Sequence, residues 1–216
     1  MSLLVPIIPI ILFDKKKREW YNNQNGFTGW FMHDLGSKVL KTERLTLRPF
    51  RESDARAMFE NWASDPEVTK YLTWTPHENV EVTRARCAFC EEESKKPNVY
   101  HWAIEYKGEL IGDIEFGEIG WTETGNVGYC MAKKHWGKGL MTEAFREVIR
   151  FAFEEVGLHR IEGMHAAVNI GSSRVMEKCG LKYEGTKRDG FRLPSSGEWV
   201  DIVVRGILRE DYFARK

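Results

Sequence analysis

The sequence is poor in cysteine, with four in 216 residues. It is poorer still in the arrangements that would make those four a metal site or a disulfide framework. Cys87 and Cys90 stand as a C-x-x-C inside a run of helical spacing. No second cysteine or histidine pair lies where a zinc site would need one. A redox C-x-x-C of the thioredoxin kind follows a strand, and this one does not. The four therefore read as small apolar residues, no metal is expected, and reduced thiols suit a cytoplasmic location. Net charge is also missing: 32 Lys and Arg balance 32 Asp and Glu. A general nucleic-acid binder carries a basic excess, so no nucleic-acid partner is expected, although neutrality leaves room for a local basic pocket. Finally, no apolar run is long enough to cross a bilayer. Ser2 to Phe13 is short and broken by Pro6 and Pro9. Its cations follow it, in DKKKRE, where a secretory signal would have them ahead, and no small-residue cleavage pattern comes behind. No membrane partner is expected.

Residues 1–40 show no clear period and read as an N-terminal appendage outside the main core, followed by one domain over 41–216. Three readings of the appendage stand: a docking arm, a contact between two copies in a homodimer, or an upstream start with Met32 as the internal alternative. If the apolar run is real it should be covered, because exposed it would drive aggregation.

From Thr42 the pattern is regular. ERLTLRPF alternates, with Leu45 and Leu47 on one face, as a strand does. Ser53 or Asp54 can cap a helix whose Ala55, Met58, Phe59, Trp62 and Ala63 fall at helical spacing, and Asp65-Pro66 stops it. A second helix is predicted over 79–95, ended by Pro97. VYHWAIEY alternates again, Lys107-Gly108 signals a hairpin, and ELIGDIEFGEI follows. After a loop at 121–125 comes NVGYCMA, then a helix with Met141, Ala144, Phe145, Val148, Ile149, Ala152, Phe153 and Val156 on one stripe and Gly157 at its end. RIEGMHAAV, the short helix SSRVMEKC and strands near 182–188 and 198–208 complete the order β-α-α-β-β-β-α-β-α-β-β. That order describes a single mixed α/β sheet with helices on its faces.

Two motifs carry chemistry. The first is KKHWGKGLMTEA, Lys133 to Ala144, where two glycines sit at the mouth of the strongest helix. A helix start presents unpaired N–H groups and partial positive charge, and glycine lets the backbone approach a ligand closely. Gly137 to Met141 thus offers a run of N–H groups to an anion, with Lys134 and Lys138 nearby; a tight strand-to-helix turn without a ligand is the plain alternative. The Walker pattern is absent. So is the dinucleotide fingerprint, whose third glycine position is here Thr142. The second motif is NIGSSRVMEKCGL, Asn169 to Leu181, which sets Asn169 and Ser172 between a strand and a short helix. Helix capping alone would account for both; their pairing with the first motif gives them further meaning.

With these residues in view the chain resembles the GCN5-related N-acetyltransferases, and within them the ribosomal-protein-alanine N-acetyltransferase branch. The family's pyrophosphate loop, [QR]-x-x-G-x-[GA], stands here as Lys134-His135-Trp136-Gly137-Lys138-Gly139, with Lys in the first place. RLTLRPF, WGKG-L-M-T-E-A, N-x-x-S-x-x-V-x-E-K-x-G and YEGTKRDG carry the likeness, which covers about residues 42–214. It implies acetyl-CoA as donor and a mostly antiparallel, twisted sheet splayed between its fourth and fifth strands, 126–132 and 160–167, with the thioester in the gap. Gly128 would ease a bulge at the splay. Main-chain groups around Cys130 and Met131 would pair with the pantetheine arm. Gly137, Lys138, Gly139, Leu140 and Met141, with Lys134 and Trp136 beside them, would hold the pyrophosphate. Asn169 would hydrogen-bond the arm, and Ser172 would protonate the leaving thiolate, since the tyrosine that other branches use is here Met176.

The acceptor must be an uncharged amine, either a protein N-terminus or a small molecule. Many family members place a glutamate two residues before the fourth strand's Gly-Tyr; here Asn126 stands there. The remaining candidate bases are Glu115, Glu118, Asp189 and His165, with Glu115 ranked first, while Glu143 reads as a structural partner of the helix dipole. Tyr71, Trp74 and His77 would wall the amine pocket or simply pack under their loop. An alternative of another class is a non-catalytic acyl-CoA-binding sensor, for which Asn126 would mark lost chemistry.

Overall fold

The computed structural model describes residues 33–117 and 122–215. The readings of residues 1–32, of Met32 as a start, of a homodimer contact there, and of Glu118 and Trp121 fall outside the described residues. The strands are β1 (Leu40–Lys41), β2 (Leu45–Arg48), β3 (Tyr100–Tyr106), β4 (Glu109–Gly117), β5 (Thr124–Met131), β6 (Arg160–Ala166), β7 (Lys182–Arg192) and β8 (Trp199–Leu208). The helices are α1 (Ala55–Met58, continued by a wide π turn over Phe59–Ala63), α2 (Pro66–Thr69), α3 (Val80–Glu93), α4 (Leu140–Phe151, continued over Ala152–Val156), α5 (Ile170–Lys178) and α6 (Arg209–Phe213). Pro66, expected only to stop a helix, opens α2: its missing N–H falls in the first turn, and Asp65 caps by accepting from Glu67 N–H.

The strands form one sheet in the order β1-β2-β3-β4-β5-β6-β8-β7. Every neighbouring pair is antiparallel except β5 and β6. Alternation gives each face its own core. On one face α4 and α5 cover Leu45, Leu47, Trp102, Ile104, Ile114, Phe116, Val127 and Ile161. All eight residues of the predicted α4 stripe are buried there, each worth about 1.5–3 kcal/mol for the larger side chains. On the other face Ala55, Met58, Trp62, Cys87 and Cys90 of α1 and α3 pack on Ala103, Leu110 and Ala132. Cys87 and Cys90 are the buried helix residues the sequence indicated.

Contacts with the domain begin before the boundary expected at residue 41. His33 N–H donates to Val156 O, Gly36 N–H to Pro97 O and the Ser37 hydroxyl to Val99 O. Leu40 joins the larger core. The lack of periodicity there is that of a segment laid along the surface by its backbone, which leaves no amphipathic signature.

The feature that positions the site is a broken pairing. β5 and β6 are paired only from Thr124 with Arg160 to Val127 with Gly163. Beyond that point β5 stays with β4 as far as Met131, and β6 stays with β8 as far as Ala166. The sheet is thus splayed between its two central strands. Gly128 does not mark a bulge: its pairing with Glu115 lies in a regular register, and the irregularity lies instead between Ile104 and Glu105 of β3. A Cβ on Gly128 would lie at an ordinary contact distance, 3.5 Å, from Glu115 Oε1, so the backbone there does not demand glycine.

Candidate active site at the splay

In an antiparallel ladder, residues that exchange hydrogen bonds with one neighbour alternate with residues turned to the other side. Ala132 N–H donates to Ile111 O at 2.8 Å. That bond fixes the parity: 111 faces 132, 113 faces 130 and 115 faces 128 as hydrogen-bonded pairs. Cys130, expected to serve the pantetheine arm, therefore spends its main chain on β4. Its thiol does the same, at 2.7 Å from Asp113 Oδ1. Tyr129 and Met131 turn their N–H and C=O groups the other way, into the gap. The Met131 carbonyl is already capped, because Trp136 Nε1–H donates to it at 2.7 Å. The Met131 N–H and the main chain of Tyr129 remain for a strand-like guest. Tyr129 escaped sequence reasoning because parity is set by β4, not by β5 itself.

β5 leads directly to the glycine turn. Gly137 and Gly139 adopt φ of +73° and +75°, the left-handed region that a side chain rarely enters. A Cβ on Gly137 would meet nothing within 4 Å, so the turn is open on that side. Gly139 is the N-cap of α4 and provides no side-chain cap, whereas Asn79 and Asn169 cap α3 and α5. The first N–H groups of α4 are thus left for a ligand. Leu140 and Met141 bury their side chains in the core and offer only those N–H groups. Arg44, which the sequence did not single out, reaches this turn and donates to Lys138 O at 3.2 Å. Glu143 is structural as expected: it accepts from Thr42 Oγ1, from Arg44 N–H at 2.9 Å and from Arg44 Nε at 2.6 Å, tying α4 to the start of β2. Lys134 departs from expectation. Its ammonium pairs with Glu109 and donates to Asn61 at 3.0 Å, on the α1 side. Its charge is drawn there by a carboxylate 25 positions earlier in sequence, which local reading does not reveal.

Across the gap, Asn169 Oδ1 accepts from Ser172 N–H at 3.2 Å, so the capping role is real. Ser172 O accepts from the Tyr129 hydroxyl at 3.2 Å, a link from β5 to α5 across the splay. Burial pushes the Tyr129 phenol above its ordinary pKa, which keeps it a donor. The Ser172 hydroxyl makes no hydrogen bond to the described residues.

On the α3 face the strands align acids and a histidine. His101 is buried, with Nε2 2.9 Å from Asp113 Oδ2 and Nδ1 3.7 Å from Glu115 Oε2. Burial works against the His101 cation, but the bond to Asp113, with Cys90 and Glu115 adding to it, outweighs that and lifts the pKa to about 10. The Cys130 thiol is pushed well above its usual value by burial and by Asp113. Glu115 is half exposed, with one oxygen toward His101 and the other leaning over Gly128, beside the last β5–β6 pair. It also lines a cavity of 270 Å³ with Arg86, Phe89, Glu93 and His101. Asn126 pairs with Glu162. Asp189 is exposed on the outer strand β7, separated from the gap by β8. Trp74 packs against the α1/α3 core, as Cys130 does, with its ring 5.0 Å from that of His77, and His77 Nδ1 lies 2.8 Å from Thr83 Oγ1. Burial, with Arg86 nearby, holds the His77 pKa below its usual value. The tip of the β7–β8 hairpin reaches the same region, where Ser195 Oγ donates to Lys70 O. Among the described residues no cluster suits a metal and no helix is long and apolar enough to cross a membrane.

A sheet splayed between its central strands, with an uncapped glycine turn leading from the gap into a buried helix, defines an acyltransferase scaffold of the acetyl-CoA type. Residues 44–182 match the acetyltransferase (GNAT) domain family, and the chain belongs to that family. It is 34% identical over 183 residues to the probable N-acetyltransferase YjcK of Bacillus subtilis, spanning 80% of this chain and 98% of that protein. It is 26% identical to the ribosomal protein uS5-alanine N-acetyltransferase of Escherichia coli, spanning 80% and 92%. A solved GNAT-family acetyltransferase of Bacillus anthracis superposes with a TM-score of 0.70 at 30% identity, covering 80% of this chain and 99% of that one. The protein is an N-acetyltransferase of the kind that uses acetyl-CoA, with ribosomal-protein-alanine N-acetyltransferases among its relatives. The open glycine turn and the unpaired main chain of β5 fit that donor.

Proposed function

We propose that the chain transfers an acetyl group to a primary amine, a protein N-terminal α-amine or a small-molecule amine, by direct attack while both substrates are bound. The observation that supports this best is the parting of β5 and β6 after Val127 and Gly163, which leaves main-chain donors facing a gap that continues into the glycine turn. Acetyl-CoA supplies an acetyl group activated as a thioester. Gly137 to Met141 would bind its diphosphate by their N–H groups, and Asn169 its arm. The Met131 N–H would donate to the oxygen that gains negative charge. Ser172, whose hydroxyl is unengaged, would give a proton to the departing sulfur. Glu115, half exposed over Gly128, would take the proton from nitrogen. For an α-amine that demand is small: a pKa near 8 makes deprotonation at pH 7 cost ~1.4 kcal/mol.

Thiol release from acetyl-CoA across a panel of α-amino peptides, amino acids and polyamines tests the reading, with acceleration by at least one amine expected. A sensor that binds acyl-CoA without turnover is the competing reading, favoured by Asn126 where the family often has glutamate. It would show tight CoA binding and no release with any amine.

A further inference from the structure

His165 is a buried group that the proposed reaction has not yet used. It is 7% exposed. Nδ1 lies 2.9 Å from Ala166 O, and a carbonyl can only accept, so Nδ1 carries a proton. Nε2 is buried and has no hydrogen-bond partner among the described residues. A polar atom kept from water without a partner is costly, and near a binding site it points to a group that engages it only once the site is filled.

Its position says which group. His165 stands two residues beyond Gly163, past the last pairing of β6 with β5. Gly163 lies under Met176 of α5, since a Cβ there would come 2.8 Å from Met176 Cε. After β6 the chain turns back into α5, so advancing along the strand means retreating along the helix. Two strand residues span roughly 6.6 Å and one helical turn roughly 5.4 Å. The residue above His165 is therefore about one turn before Met176, at Ser172. By this estimate the two lie on facing elements at the same level; no hydrogen bond joins them in this structure, and the Ser172 hydroxyl has no partner among the described residues. Around this corner Arg205 of β8 donates through its terminal Nη2 to Ser173 Oγ and Glu177 of α5, its Nε being buried without a partner among the described residues, and Tyr129 of β5 donates to Ser172 O.

We infer that His165 is the proton partner of Ser172, a positioning residue acting through that hydroxyl. The inference rests on the proposed function. A proton taken from water onto Nε2 makes it a donor to Ser172 Oγ. As the C–S bond breaks, Ser172 passes its own proton to the thiolate and receives one from His165. As the N–C bond forms, the amine proton leaves through Glu115 to water. One proton is lost at nitrogen and one gained at sulfur, and both side chains end as they began. The chemistry asks for such a partner because a serine hydroxyl alone is a weak acid.

The test uses the full chain with acetyl-CoA and the best amine of the panel. His165→Gln should lower kcat about tenfold or more and leave CoA affinity within about twofold. The double variant H165Q/S172A should be no slower than the slower single, as for residues acting as a unit. CoA should shift the imidazole ¹⁵N resonances of His165. An unchanged kcat, multiplicative losses in the double variant, or a loss confined to CoA affinity or melting temperature would overturn the inference. If the wild type releases no thiol with any amine, the proposed function fails first. In that event the CoA-induced ¹⁵N shift still decides whether His165 faces the gap: a shift supports the placement and its absence overturns it.

Discussion

At the scale of single residues, the glycine turn and the buried histidine show how locally unfavourable choices become useful. Gly137 and Gly139 hold left-handed φ values that cost a side chain roughly 1–2 kcal/mol, and they spare the turn both strain and bulk. His101 places a cation where burial opposes one, and two carboxylates sustain it. Its pKa is raised to about 10 in the fold, against about 6.5 in an unfolded chain. A raised value favours the folded state below the unfolded pKa, and that contribution is lost as pH climbs toward the folded one. The melting temperature of the wild type should therefore fall between pH 7 and pH 10 more steeply than that of His101→Gln, whose amide can still donate to Asp113. Parallel melting curves for the two across that range would refute the assignment of a charged His101.

At the scale of elements, the sheet is continuous except where β5 and β6 part, and there a side chain replaces the ladder. The Tyr129 hydroxyl crosses from β5 to Ser172 O on α5, with its ring packed 5.7 Å from Phe145 of α4. Tyr129→Phe removes only that hydrogen bond, so it should cost about 1 kcal/mol of stability. It should also lower kcat more than CoA affinity, because Ser172 loses its tether. Urea unfolding and steady-state kinetics on one preparation check both, and equal losses in kcat and affinity would contradict it. The elements themselves were largely legible in the sequence. The 3.6-residue stripe of α4 and the Gly157 stop survive intact because both are local and strongly patterned. The Asn169 cap was legible for the same reason. What the sequence hid is non-local: the parity that turns Cys130 to β4 and Tyr129 to the gap, the pull of Glu109 on Lys134, and the meeting of His101, Asp113 and Glu115 from two strands. The family likeness supplied the splay, which no periodicity encodes.

At the scale of the molecule, the two faces of the sheet divide the work. The α4/α5 face carries the turn, Asn169, Ser172 and His165; the α1/α3 face carries Glu115, His101 and the loop with Trp74 and His77. A donor would enter along one and an amine along the other, meeting where the central strands separate. The central claim is that the chain holds CoA by the main chain at the start of α4. The most direct measurement is a calorimetric titration of CoA into the wild type and into Gly137→Val at matched melting temperature. The account predicts saturable heat for the wild type and at least about tenfold weaker binding for the variant, roughly 1.4 kcal/mol. Equal affinities, or no heat in either, would contradict it.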